Sequence, residues 1–298
     1  MKSTIAVILS FIVNASMNPT FANEHSDILS SQVSGSGQDM LLIPGLTSDS
    51  RVWQDTAHKL SKNYRVHQLS IAGFGDQPHY RPLRQQFTQP VMAAITNYLT
   101  DHTSGNAVIV GHSLGGFLGY QLAVADKPAI SCVVAVDGVP FFSALVTRNP
   151  ALTAEQAKPQ AQQLLAAYQQ MSAATMAAQT AQGVSRHTAL TQGQELIVDM
   201  AKSSDPKTAG RAIYELMTTD LRPQLTQLEI PVLQMAATGA FPKEQRAAAM
   251  THYQKQVSGS NLITLVEFDQ ARHFIMWDQP QSFIQQTTDF IEERCHAQ

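Results

Sequence analysis

The stretch VIVGHSLGG, residues 108–116, decides the fold. It runs from an apolar segment through the pattern Gly-x-Ser-x-Gly, centred on Ser113, into the helix-like segment LGGFLGYQLAVAD. A strand, a tight turn and a helix in that order expose a nucleophilic serine at the end of a strand. Gly111 and Gly115 fit this arrangement, because a Cβ at either position would crowd the turn. The pattern predicts that Ser113 is a nucleophile, with a tight turn without chemistry as the alternative.

Apolar segments on either side of this turn predict a mostly parallel sheet. Short β-branched runs, apolar on both faces, begin at residues 40, 64, 107, 132, 231 and 262. Helical patterns lie between and after them, at residues 53–60, 90–102, 114–125, 242–257 and 280–294. Such strands belong to a parallel sheet with helices on both sides, so we predict a right-handed, doubly wound α/β fold. Residues 23–40 leave room for one strand and a turn, and a hairpin there would be cramped.

One long segment interrupts the alternation of strands and helices. Residues 140–229 separate two consecutive strands and are rich in Ala, Gln and Met. A structureless connection of that length is implausible in a compact domain. Asp205 followed by Pro206 indicates the N-cap and first position of one helix. We predict an all-helical cap of three or four helices, which leaves residues 23–139 and 230–298 as the core; a disordered insert is the alternative.

With these segments in place, the chain resembles the α/β-hydrolase superfamily, in its branch with a serine nucleophile and a helical cap. The resemblance covers nearly all of the chain after residue 22. It rests on the segments LLIPGLTSDSRVW, LSIAGFGDQP, GHSLGG, VDGVPF and ARHFIMWDQP. It implies a serine, an acid and a histidine in that order. His273, between the last strand and the last helix, matches the histidine. The resemblance also implies an oxyanion hole made by the backbone N–H groups of Leu46 and Leu114.

The acid is absent from the loop where the resemblance usually places it. AATGAFP, residues 236–242, follows the strand PVLQM and contains no carboxylate. Asp137 ends the strand CVVAV, which lies beside the nucleophile strand in this fold, and some relatives place their acid there. Asp269 is the second candidate, although it shares the loop of His273. We predict Asp137 and keep Asp269, another group or a Ser–His dyad open; Asp278 is interpreted as a helix cap.

These residues predict a serine hydrolase that cleaves carboxylic esters through an acyl-enzyme. Phe141 and Phe142 are candidate pocket walls and suggest small or medium apolar substrates, although packing of the cap against the core explains them equally well. Amide or C–C bond hydrolysis with the same triad is an alternative, as is a non-catalytic ligand-binding member of the fold. The sequence contains no cofactor fingerprint or metal-ligand cluster, so we expect neither cofactor nor metal.

Charge and the N-terminal segment bear on partners and location. The net charge is −3, charged residues make up 14% of the 298, and Lys and Arg form no run, so we expect neither nucleic acid nor an anionic membrane surface as partner. Residues 1–22 resemble a secretory signal peptide, with an apolar stretch too short to span a bilayer and small residues before a cut after Ala22; a cut at Ala15 is the alternative. We expect a periplasmic or secreted protein without a stable membrane anchor; the oligomeric state is open.

Two cysteines occur, Cys132 and Cys295. Cys132 lies in the apolar run CVVAV and is interpreted as a small core residue, whereas Cys295 lies in a polar tail. An exported protein can form disulfides, so a bridge between the two also stays open.

Overall fold

The computed structural model describes residues 22–25, 27–125 and 130–295. The predicted signal peptide, apart from Ala22, lies outside the described residues. The strands are β1 (Ala22–His25), β2 (Leu29–Ser34), β3 (Gln38–Ile43), β4 (Tyr64–Ile71), β5 (Ala107–His112), β6 (Ile130–Val136), β7 (Val232–Ala237) and β8 (Ile263–Phe268).

The helices of the described ranges fall into core helices and helices of the long insertion. They are α1 (Gln54–Leu60), α2 (Thr88–His102), α3 (Leu114–Ala123), α4 (Phe142–Val146), α5 (Ala154–Gln170), α6 (Ala173–Gly183), α7 (Thr191–Ser203), α8 (Pro206–Thr218), α9 (Lys243–Val257), α10 (Ile275–Asp278) and α11 (Pro280–Arg294). Within those ranges, no helix combines the length and the apolar character that a membrane crossing requires.

All strands form one sheet in the order β1-β2-β4-β3-β5-β6-β7-β8. β2 is antiparallel to β1 and to β4, and every other neighbouring pair is parallel. This confirms the predicted mostly parallel α/β sheet. The expectation of a single strand before β3 is wrong, because β1 has only four residues and therefore fits as an antiparallel partner of β2.

The order in which the chain adds strands to the sheet reverses at β3, and this reversal positions the candidate site. From β3 the chain continues to β4 on one side, and then β5 lies on the other side of β3. The chain leaves β3 for α1 on one face of the sheet and leaves β5 for α3 on the other, and in open α/β sheets ligands bind at the carboxyl edge of such a point. Ser113 follows β5 and Leu46 follows β3, so both lie at this edge.

Apolar layers cover both faces of the sheet, because successive strand residues point to opposite sides. Leu41 and Ile43 pack in the layer that includes α2 and α3. Met40 and Leu42 pack in the opposite layer, which includes α1 and α11. Burial of both faces explains why these strands are apolar throughout rather than alternating.

The insertion between β6 and β7 is helical, as predicted. α5 packs along α8, and α6 packs along α7. Gly210 allows the first of these contacts, because a Cβ there would lie 2.4 Å from the Tyr168 Cβ. The predicted helix start is present, since the Asp205 side chain accepts a hydrogen bond from the Thr208 N–H at the beginning of α8.

A disulfide bond joins Cys132 in β6 to Cys295, which directly follows α11. The bridge that the sequence left open is therefore present, and Cys132 is also the fully buried core residue that was expected. α11 packs on the face of the sheet that holds Cys132, and this brings the end of the helix to β6. The bond fastens the last helix to the strand that leads into Asp137.

Candidate active site

Ser113 occupies a strained turn between β5 and α3, with φ of 54° and ψ of −114°. A positive φ is unfavourable for a residue with a side chain, and this conformation exposes a serine at the edge of the sheet. The flanking glycines make the turn possible. A Cβ on Gly111 would lie 2.1 Å from the Gly115 carbonyl oxygen, and a Cβ on Gly115 would lie 2.2 Å from that of Ile43.

Asp137 and His273 are in direct contact. His273 Nδ1 lies 2.6 Å from Asp137 Oδ2. The other carboxylate oxygen accepts hydrogen bonds from the Tyr253 hydroxyl at 2.6 Å and from the Ala237 N–H at 3.0 Å. Because an ionised carboxylate only accepts, His273 carries its proton on Nδ1, and Nε2 can then take a proton from another group.

Asp269, the second candidate for the acid, has different surroundings. Its carboxylate lies 3.7 Å from Arg246, and its side chain is 57% exposed. The structure thus brings Asp137, and not Asp269, to His273. Ala237, the last residue of β7 before the loop that lacks an acid, donates its N–H to the Asp137 carboxylate.

The two N–H groups predicted to form an oxyanion hole belong to Leu114, which directly follows Ser113, and to Leu46, whose loop runs beside the serine. Leu114 is the first residue of α3, so its N–H has no acceptor within the helix. Leu46 lies in the loop after β3, and its N–H donates no backbone hydrogen bond to the described residues. A Cβ on Gly45 would lie only 3.1 Å from the Ser113 Cβ, so this loop runs next to the serine.

Tyr253 and His112 also support the pair, and the sequence did not indicate either role. Burial and the neighbouring Asp137 raise the pKa of Tyr253 well above its ordinary value, so its hydroxyl remains a donor. His112 is fully buried, and its Nε2–H donates to the His273 carbonyl oxygen at 3.1 Å. Burial and the nearby His273 hold the pKa of His112 well below its usual value, so it is neutral. His112 therefore acts on the backbone of His273 and not on the reacting atoms.

The loop that carries His273 is fastened to the helical insertion through Asp278. The carboxylate of Asp278 accepts from the Thr188 hydroxyl at 2.6 Å and from the Ala189 N–H at 2.9 Å. It also accepts from the Arg272 N–H at 2.8 Å. The interpretation of Asp278 as a helix cap is wrong, because α11 begins after Gln279 without a side-chain cap.

His187 lies next to this attachment and was not indicated by the sequence. Its carbonyl oxygen accepts a hydrogen bond from the Phe274 N–H at 2.9 Å. Its imidazole ring lies 5.6 Å from that of His273, measured between ring centres. The insertion therefore contributes a side chain that faces the Asp137–His273 pair, and a lone histidine between two helical patterns gave no signal of this.

The two candidate pocket residues have different environments. Phe141 is fully buried, and the Arg222 guanidinium lies 4.7 Å from the centre of its ring. Its neighbours Ala144 and Ala157 belong to the same insertion, and its full burial makes the expectation that it lines the pocket wrong. Phe142 is partly exposed and begins α4, which follows the carboxyl end of β6.

Known proteins share this architecture. The model of the alpha/beta hydrolase family matches residues 40–286. The chain is 27% identical to a pimeloyl-[acyl-carrier protein] methyl ester esterase of Vibrio cholerae serotype O1, over 87% of this chain and 96% of that protein. The enol-lactonase of Burkholderia xenovorans superposes with a TM-score of 0.70 at 18% identity, and an esterase of Exiguobacterium antarcticum does so with 0.70 at 15%. Each pair covers 89% of this chain and 96% of the other. The chain therefore belongs to the α/β-hydrolase family of enzymes.

Proposed function

We propose that this protein is a serine esterase that cleaves carboxylic esters of small to medium apolar substrates through an acyl-enzyme. The observation that carries the proposal is the hydrogen bond between Asp137 and His273, at the same edge of the sheet as the strained Ser113. The similarity to an esterase of Exiguobacterium antarcticum and to a methyl ester esterase of Vibrio cholerae supports ester cleavage over other hydrolytic reactions.

The first half of the reaction transfers the acyl group to the enzyme. His273 Nε2 takes the proton of the Ser113 hydroxyl as the oxygen attacks the ester carbonyl carbon. The negative charge that develops on the carbonyl oxygen is stabilised by the N–H groups of Leu46 and Leu114. Asp137 stabilises the imidazolium of His273. The intermediate then expels the alcohol, whose oxygen takes the proton from Nε2, and the acyl group stays on Ser113.

Water completes the second half of the reaction. His273 takes one proton from a water molecule, whose oxygen attacks the acyl carbon. The second tetrahedral intermediate breaks its bond to the Ser113 oxygen, which recovers the proton from His273. The carboxylic acid leaves, and the enzyme returns to its initial state.

The surroundings of Ser113 favour a small, free ester. Leu46, in the loop that runs next to the serine, supplies partly exposed apolar surface there. Residues 140–229 contain seven basic and seven acidic residues, so the insertion has no net charge that would attract an ester carried on a charged protein. A free ester with a modest apolar acyl chain is therefore the proposed substrate class.

A panel of p-nitrophenyl esters with acyl chains from acetyl to lauroyl tests this proposal. We expect the highest kcat/KM among the shorter esters and much slower hydrolysis of the matching p-nitroanilides. Ser113→Ala serves as the control for background hydrolysis. Faster cleavage of the anilides, or no ester turnover above that control, would contradict the proposal.

We also propose that the protein is exported to the periplasm or secreted, with cleavage after Ala22. The disulfide between Cys132 and Cys295 supports this location, because disulfides persist mainly in oxidising compartments. Expression in a Gram-negative host, followed by fractionation and intact-mass analysis, tests the proposal. We expect a periplasmic species that begins at Asn23, whereas a cytoplasmic species that retains Met1 would contradict it.

A further inference from the structure

His187 is a second imidazole held beside His273. It follows a short 3₁₀ helix (Val184–Arg186) and precedes α7. The hydrogen bond from the Phe274 N–H fixes its backbone, and its ring meets the His273 ring in a T-shaped contact at 5.6 Å. The position of this side chain therefore depends on the same loop that positions His273.

Within the part of the chain that the structure describes, neither ring nitrogen of His187 takes part in a hydrogen bond. No described residue forms a hydrogen bond with this ring, in contrast to His112 and His273. The side chain is partly exposed, and neither nitrogen belongs to the buried, unpaired polar atoms of the described residues. Two accessible hydrogen-bonding groups thus lie in a half-buried position next to the Asp137–His273 pair.

The charge state of His187 suits it to bind a neutral polar group. Burial, His273 and Arg186 lower the pKa of His187 to about 4. The imidazole is therefore neutral near pH 7 and offers one donor and one acceptor. It can pair with a hydroxyl or a carbonyl group without adding positive charge beside the imidazolium that forms on His273.

The proximity to His273 decides which part of a substrate would meet His187. In ester cleavage the histidine must contact the leaving oxygen, because it transfers the proton to that atom. A side chain beside His273 is therefore close to the alcohol part of the ester, whereas the acyl part is bonded to Ser113.

We propose that His187 determines specificity by forming a hydrogen bond with a polar group on the alcohol part of the ester. This inference rests on the proposed esterase function and narrows the substrate class to esters whose alcohol part carries a hydroxyl or carbonyl group.

A pair of substrates with the same acyl group tests the proposal: ethyl butyrate and 2-hydroxyethyl butyrate. His187→Phe keeps an aromatic ring in the contact and removes both hydrogen-bonding groups. We expect kcat/KM for the hydroxyethyl ester to fall about 5- to 10-fold, the worth of one neutral hydrogen bond, and kcat/KM for the ethyl ester to change little. His58→Phe, an exposed position on α1, is the matched control and should change neither value.

The rate of Ser113 labelling by a fluorophosphonate separates this effect from damage to the site. His187→Leu provides a second variant without hydrogen-bonding groups, and both variants should be labelled at the wild-type rate. An equal change for the two esters, or no change for either, overturns the role of His187 while the labelling leaves the esterase proposal intact. A wild-type protein that is unlabelled and hydrolyses neither ester overturns both.

Discussion

Asp137→Asn replaces one carboxylate oxygen by an NH₂ group and keeps the volume of the side chain. Oδ1 of Asp137 faces two donors, the Tyr253 hydroxyl and the Ala237 N–H, at 2.6 and 3.0 Å. The asparagine should place its carbonyl oxygen there, because a backbone N–H can only donate. Its NH₂ group then faces His273 Nδ1, which must become an acceptor. The imidazole proton consequently moves to Nε2, and His273 can no longer take the proton of Ser113.

The size of the effect follows from that change of tautomer. In serine hydrolases the wrong tautomer lowers kcat by about 10⁴, which corresponds to about 5.5 kcal/mol of transition-state stabilisation. Stability should change by no more than about 1 kcal/mol, because the variant retains the hydrogen bonds to Tyr253 and Ala237. The loss is therefore expected in kcat rather than in the melting temperature.

Steady-state hydrolysis of p-nitrophenyl butyrate, with thermal unfolding of the same samples, measures both quantities. Asp269→Asn is the matched control, because Asp269 is exposed and lies 3.7 Å from its partner Arg246. We expect that control to stay within about threefold of wild type. A larger loss for Asp269→Asn than for Asp137→Asn would refute the assignment of the acid.

Three further variants probe the surroundings of the site. Tyr253→Phe removes one donor to Asp137 and should lower kcat about 5- to 10-fold; a loss as large as that of Asp137→Asn would contradict this estimate. Cys132→Ala combined with Cys295→Ala opens a loop closed over 163 residues and should lower the free energy of unfolding in urea by about 3–5 kcal/mol, whereas unchanged stability would refute a structural role. Burial and a neighbouring imidazole lower the pKa of His187 to about 4. Between pH 6.5 and 4 the unfolded chain therefore binds a proton that the folded chain excludes, so the free energy of unfolding falls as the pH falls. Between pH 7 and 4.5 the free energy of unfolding of His187→Phe should therefore fall less than that of wild type, by up to about 2–3 kcal/mol. Identical pH profiles of the two unfolding free energies would contradict the neutral state of the His187 imidazole.

Features that are set by residues close together in the sequence could be predicted from it. The strands are apolar on both faces because the sheet is covered on both sides, and that pattern is local. The turn around Ser113 requires Gly111 and Gly115 for close approach of the backbone, and that spacing is local as well. The placement of Asp137 depended on knowing that its strand lies beside the nucleophile strand.

Contacts between segments far apart in the sequence could not be predicted from local sequence patterns. Tyr253 binds Asp137 across 116 residues, and only the packing of α9 near the ends of β6 and β7 brings them together. Phe141 could not be assigned to pocket or packing by its apolar character, because both environments favour an aromatic ring. His187 reaches His273 through the attachment of the insertion at Asp278, which the sequence did not indicate.

The most direct test of the esterase proposal is peptide mapping by mass spectrometry after treatment with a fluorophosphonate, on wild type and Ser113→Ala. We expect one adduct in the wild type, on Ser113, and none in the variant. The folded variant should hydrolyse p-nitrophenyl butyrate four to six orders of magnitude more slowly, about the loss seen when a serine nucleophile is removed. An adduct on another residue, or undiminished ester hydrolysis by Ser113→Ala, would contradict the account.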